Sequence, residues 1–175
     1  LMPGPPNEMI PMFETSVMPY LSRLQSCVIY SQTVKICGVG ESKAESMVSD
    51  LIAAQTNPTI ATYAKTGEVH LRVTARAEDE KEARKLVKPM IKDLKGRFGN
   101  HVYTTDDGVT LEKAVVDLLM ANKLTACTVE SCTGGLLSAR LINVAGVSDV
   151  FKSGYVTYSN KSKRRLLGIK KNILD

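Results

Sequence analysis

Two short stretches hold residues whose types and spacing could do chemistry. Ser131 lies in E-S-C-T-G-G (130–135), after a β-branched apolar run (125–129). Leu136, Leu137, Ala139, Leu141 and Ile142 follow near helical spacing. The pattern predicts strand, tight glycine-rich turn and helix, with a hydroxyl on the turn. Main-chain N–H groups and the positive end of a helix dipole converge at such a turn, which favours an anion or a carbonyl oxygen becoming one. The second stretch, G-Y-V-T-Y-S-N-K-S-K, alternates like a strand over 154–158, turns at Ser159-Asn160 and puts Lys163 at the start of a helix. In a parallel sheet both strand-to-helix junctions open on the same carboxyl edge. Ser131, Tyr158 and Lys163 converge on this reading.

A serine becomes a nucleophile only beside a base. The chain has two histidines, His70 in an alternating strand far upstream and His101 next to a domain boundary, and neither belongs to these segments. A lysine serves instead when burial or nearby positive charge lowers its proton affinity, and Lys161, Arg164 and Arg165 surround Lys163. Tyr158 then either relays the proton or holds the serine hydroxyl. Plainer readings stand beside these: Ser131 or Thr133 as a helix N-cap, Gly134-Gly135 as a turn, and Lys163 as one more solvated charge.

The pair E-S-C-T-G-G and G-x-V-T-Y-S-N-x-x-K-x-x-L-L-G resembles the carboxy-terminal domain of the competence/damage-inducible CinA family. That family includes nicotinamide-nucleotide amidases. The resemblance implies hydrolysis of the nicotinamide amide of nicotinamide mononucleotide to nicotinate mononucleotide and ammonia. It makes Ser131 the nucleophile, Tyr158 and Lys163 its activating partners, and Thr133, Gly134 and Gly135 the turn that binds the oxyanion or substrate. No cofactor and no metal are implied. The alternative is a non-catalytic nucleotide- or nucleic-acid-binding module in which Ser131 only caps a helix.

The elements that must position these residues belong to a chain of 175 residues, 43% apolar, with six Tyr, three Phe and no Trp. Its cores must therefore be built from aliphatic side chains. No run approaches the roughly 20 apolar residues that span a membrane. Cys27, Cys37, Cys127 and Cys132 lack C-x-x-C spacing and sit mostly in apolar runs, so reduced thiols in the cytoplasm are expected.

The fold class expected is α/β and α+β: a ferredoxin-like β-α-β-β-α-β middle domain followed by an incomplete α/β amidase domain. Strands are predicted at 27–37, 59–65, 68–77 and 102–104, with helices at 41–55 and 78–97, the second bent at Pro89. Thr66-Gly67 joins a hairpin. A helix over 110–122 leads to the Ser131 strand. Domain boundaries follow at 1–25, 26–106 and 107–175. Residues 3–9, P-G-x-P-x-E-M, resemble the tail of the molybdopterin-cofactor-binding-like domain that opens CinA proteins, a domain linked with ADP-ribose pyrophosphatase activity. Glu8 is read as a first-turn acid instead. A helix is predicted from about 10 to 24, with Pro11 in its first turn and a kink or early end at Pro19.

In CinA-like proteins the middle region is labelled KH-like, and KH modules hold RNA on a G-x-x-G loop. Here Gly38-Val39-Gly40-Glu41 is G-x-G followed by an acid, so nucleic acid is not expected as a partner and a spacer or homo-oligomerisation role is. The formal net charge is +5, and no acid lies between Asp149 and Asp175, where Lys152, Lys161, Lys163, Arg164, Arg165, Lys170 and Lys171 accumulate. Such a field steers a phosphate-bearing nucleotide substrate. The family's carboxy-terminal domain runs on further than this chain, so an internal fragment of weak or no activity is expected.

Overall fold

A computed structural model describes residues 1–174. The chain divides into two compact units, Leu1–Asp107 and Gly108–Asp175.

The first unit opens with a helical run: α1 (Pro6–Met12), a π-helical turn (Phe13–Val17) and α2 (Met18–Leu24). Pro6, in the first turn of α1, takes the position expected of Pro11, which lies inside the helix instead. Pro19 has no N–H for the preceding turn, and that turn widens so that the Met18 N–H donates to the Phe13 carbonyl. The proline therefore changes the helix pitch without ending the run. None of these residues is buried.

β1 (Val28–Cys37), α3 (Glu41–Ala54), β2 (Thr59–Lys65), β3 (Glu68–Ala77), α4 (Glu80–Phe98) and β4 (Val102–Thr104) follow in chain order. The sheet order is β2-β3-β1-β4 with every neighbouring pair antiparallel, the ferredoxin-like arrangement. Alternation decides the faces. Val34, Ile36, Val69, Leu71, Val73 and Ala75 point to one side and are buried with Val87, Leu94 and Phe98 of α4 and with Ala44 and Val48 of α3. Gly67 has φ +79°, which lets two residues close the β2–β3 hairpin. Asp79 caps α4 by accepting from the Glu82 N–H at 2.8 Å. At the other end Arg97 forks onto Asp50 of α3, with Nη2–Oδ2 at 2.7 Å, and donates to the Met47 carbonyl. α4 runs through Pro89 as one helix.

In the second unit α5 (Leu111–Ala121) precedes β5 (Ala126–Glu130), α6 (Leu136–Ile142), β6 (Phe151–Val156) and α7 (Asn160–Leu167). β5 and β6 pair in parallel. A small core of Val116, Val147 and Val150 draws in Leu119, Met120, Leu141, Val144 and Phe151. No helix among the described residues is long and apolar enough to cross a membrane.

Phe98 is 2% exposed at the end of α4, in the same core as seven buried apolar strand side chains. Phe98→Ala is expected to destabilise the first unit by about 3–5 kcal/mol, measured as the shift of its urea transition.

Candidate active site

The β5–β6 ladder sets the geometry. Its register runs from Ala126↔Phe151 to Glu130↔Val156, and the Thr157 N–H extends it by donating to the Glu130 carbonyl at 2.8 Å. Ser131 is thus the first residue beyond β5, and Tyr158 the second beyond β6, at the same carboxyl edge. Lys163 lies in the first turn of α7, its N–H donating to the Ser159 carbonyl at 3.0 Å. Ser159 caps that helix, accepting from the Ser162 N–H at 3.1 Å. A run of residues that separates the two segments in sequence is closed by parallel pairing of their strands.

The turn itself is held by a residue that spacing alone does not single out. Glu130 ends a strand, is 4% exposed, and sends its carboxylate into the first turn of α6. Oε2 accepts from the Gly135 N–H at 3.1 Å and the Leu137 N–H at 2.9 Å. Oε1 accepts from the Ser138 N–H at 2.9 Å and the Ser138 hydroxyl at 2.5 Å. The Ser138 proton is therefore committed to the carboxylate, so Thr128 is the donor in its 2.6 Å bond with Ser138. The helix N-cap position is Gly135 at φ +101°, with no side-chain cap of its own; neither Ser131 nor Thr133 fills that role. These donors, the Ser138 hydroxyl foremost and the Ser138 and Leu137 amides after it, outweigh the cost of burial and hold the Glu130 carboxyl down at about 2.

Gly154 admits this network. A Cβ there would fall 2.6 Å from the Ser138 hydroxyl oxygen and 3.0 Å from that of Thr128. Gly134 donates its N–H to the Ser131 carbonyl at 3.1 Å, and Gly135 donates to Glu130, so both glycine amides already have partners. The amides of Cys132 and Thr133 have none among the described residues. The Ser131, Tyr158 and Lys163 side chains likewise make no hydrogen bond or ion pair, with one another or with other described residues. Tyr158 is 73% exposed. Around α7, a groove of about 570 Å³ is lined by Lys161, Arg164, Arg165, Ile169, Lys170 and Lys171.

Glu130, Ser138, Thr128 and Gly154 are the residues that motif reading passes over. The available signal was an acid at the end of an apolar strand, since a carboxylate is buried only when it is partnered.

Gly154→Ala is expected to push β6 away from α6 and destabilise the second unit by about 1–3 kcal/mol, as overpacking does, read from its thermal transition. The ionised Glu130 is favoured by the fold, because its carboxyl lies near 2 rather than at its ordinary 4.5. Its contribution is therefore complete above about pH 4.5 and disappears as pH falls toward 2. Acid titration of the second unit should show this loss, and Glu130→Gln should flatten it.

Residues 31–104 match the family model described as the damage-inducible protein CinA KH domain, and residues 109–175 match the CinA C-terminal domain. A CinA-like protein of Dictyoglomus turgidum is 51% identical over 99% of this chain and 42% of its own length. A putative competence-damage inducible protein of Clostridium beijerinckii is 50% identical over the whole chain and 42% of its own length. Among solved structures, the competence/damage inducible protein CihA of Agrobacterium tumefaciens shares 39% identity over 37% of this chain and 39% of that one, with a TM-score of 0.36. The chain thus spans about two fifths of the length of the curated relatives it matches. With both domain models matched in order, the chain belongs to the CinA family.

Proposed function

We propose that the second unit carries the catalytic turn of a cytoplasmic nicotinamide-nucleotide amidase that hydrolyses nicotinamide mononucleotide to nicotinate mononucleotide and ammonia. The observation that carries this reading is the pairing of Glu130 with Val156, which sends the Ser131 and Tyr158–Lys163 segments off one edge of a parallel sheet. In this mechanism Ser131 Oγ attacks the carboxamide carbon while its proton passes to the Lys163 amine, directly or through the Tyr158 hydroxyl. The carbonyl oxygen becomes an oxyanion beside the Cys132 and Thr133 amides, which have no other partner among the described residues. Collapse breaks the C–N bond, and the departing nitrogen takes the proton from the lysine as ammonia. Water then hydrolyses the seryl ester, releasing the carboxylate and restoring the serine. The mechanism requires substrate binding to bring the three side chains into hydrogen-bond reach of one another. The cationic groove around α7 supplies the positive field a phosphate-bearing nucleotide needs.

Ammonia release from nicotinamide mononucleotide by the natural full-length protein tests the assignment. Ser131→Ala should lower kcat at least about 1,000-fold while calorimetry still detects substrate binding. Lys163→Arg keeps the charge but cannot take a proton, and should lower kcat by about 100- to 10,000-fold. Turnover that survives Ser131→Ala refutes the nucleophile.

A further inference from the structure

We infer that Glu130 is the positioning residue of the catalytic turn, clamping the Ser131 loop and the Tyr158 loop to one frame; the inference rests on the amidase reading. Glu130 is bonded at both ends. Its carbonyl receives the Thr157 N–H at 2.8 Å, and Thr157, 1% exposed, immediately precedes Tyr158. Its carboxylate receives Gly135, Leu137 and Ser138, and Ser131 is the next residue in the chain. The five residues 131–135 are thus suspended between the backbone and the side chain of a single residue. Ser131 follows the first anchor directly, and Gly135 is itself part of the second.

The chemistry of the clamp needs this side chain. Four donors converge on two oxygens, so a group with acceptors alone satisfies them all. Glutamine would turn an NH₂ toward main-chain N–H groups. Aspartate keeps the charge, but one methylene less leaves its oxygens short of α6. The clamp also occupies the Gly135 amide, which keeps that donor off the reacting carbonyl. Both glycines remain necessary as backbone: Gly134 at φ +62° and Gly135 at φ +101° bring the helix start within reach of the strand end.

The test compares wild type, Glu130→Gln, Glu130→Asp and Ser138→Ala in the natural full-length protein. It measures steady-state kinetics on nicotinamide mononucleotide, the rate at which a fluorophosphonate labels Ser131, and amide hydrogen exchange at residues 131–138. Glu130→Gln and Glu130→Asp should each lower kcat about 100-fold with KM within about threefold, the scale of a 1 Å misplacement. Labelling should slow in parallel, and the Gly135, Leu137 and Ser138 amides should lose protection. Ser138→Ala, which removes one of the four bonds, should fall between them and wild type and remains informative if the Glu130 variants do not fold. Full rescue by aspartate, unchanged kcat and labelling in a folded variant, or a loss of kcat with undisturbed exchange at these amides overturns the inference. Wild type without turnover or labelling overturns the amidase reading, and this inference with it.

Discussion

A carboxylate that leaves water must find its hydrogen bonds inside the protein, and Glu130 finds four of them within one helical turn. Much of the second unit follows from that constraint. Desolvation alone would raise the carboxyl's proton affinity; the donors reverse the sign and keep it ionised through the physiological range. The negative charge sits where the amides of α6 begin, the end of a helix that favours an anion. A helix of only seven residues, with no buried side chain of its own, acquires a fixed start. The loop between strand and helix then has little freedom left.

The first unit is organised differently. There no single polar group decides the geometry; alternation along β1 and β3 separates a buried aliphatic face from a polar one, and α3 and α4 cover the former. Caps and charges agree with this plan. Asp79 opens α4, two acids follow it, and Lys95 and Arg97 close the helix against its negative end. Arg97 also reaches across to α3, so one residue serves the helix dipole and the packing of two helices.

These differences account for what could be read from residues in order. Period-2 and helical patterns are local, and β2, β3 and β4 begin and end where those patterns do. The ferredoxin-like order followed because each element's hydrophobic face leaves few ways to be buried. The parallel β5–β6 pair was legible for the same reason. The cap of α6 was not, because capping rules look for a side chain at the N-cap, whereas here it comes from five residues upstream. Nor was the engagement of the Gly134 and Gly135 amides, which depends on where the chain turns back on itself. Gly154 reads as an ordinary strand residue until Ser138 is placed against it. Pro19 signals a break by its chemistry, but a π turn absorbs it, an outcome that depends on the neighbouring carbonyls.

The close approach of Ser138 to Gly154 also bears on how relatives can drift apart. Those two positions must change together or remain small, because their atoms share the same few cubic ångströms. The connection between them carries Val144, Val147 and Val150 of the core, but Asn143, Ala145 and Gly146 are exposed, and loop closure penalises added length only slowly. Insertions and deletions should therefore gather in that connection, while the lock on either side of it stays conservative.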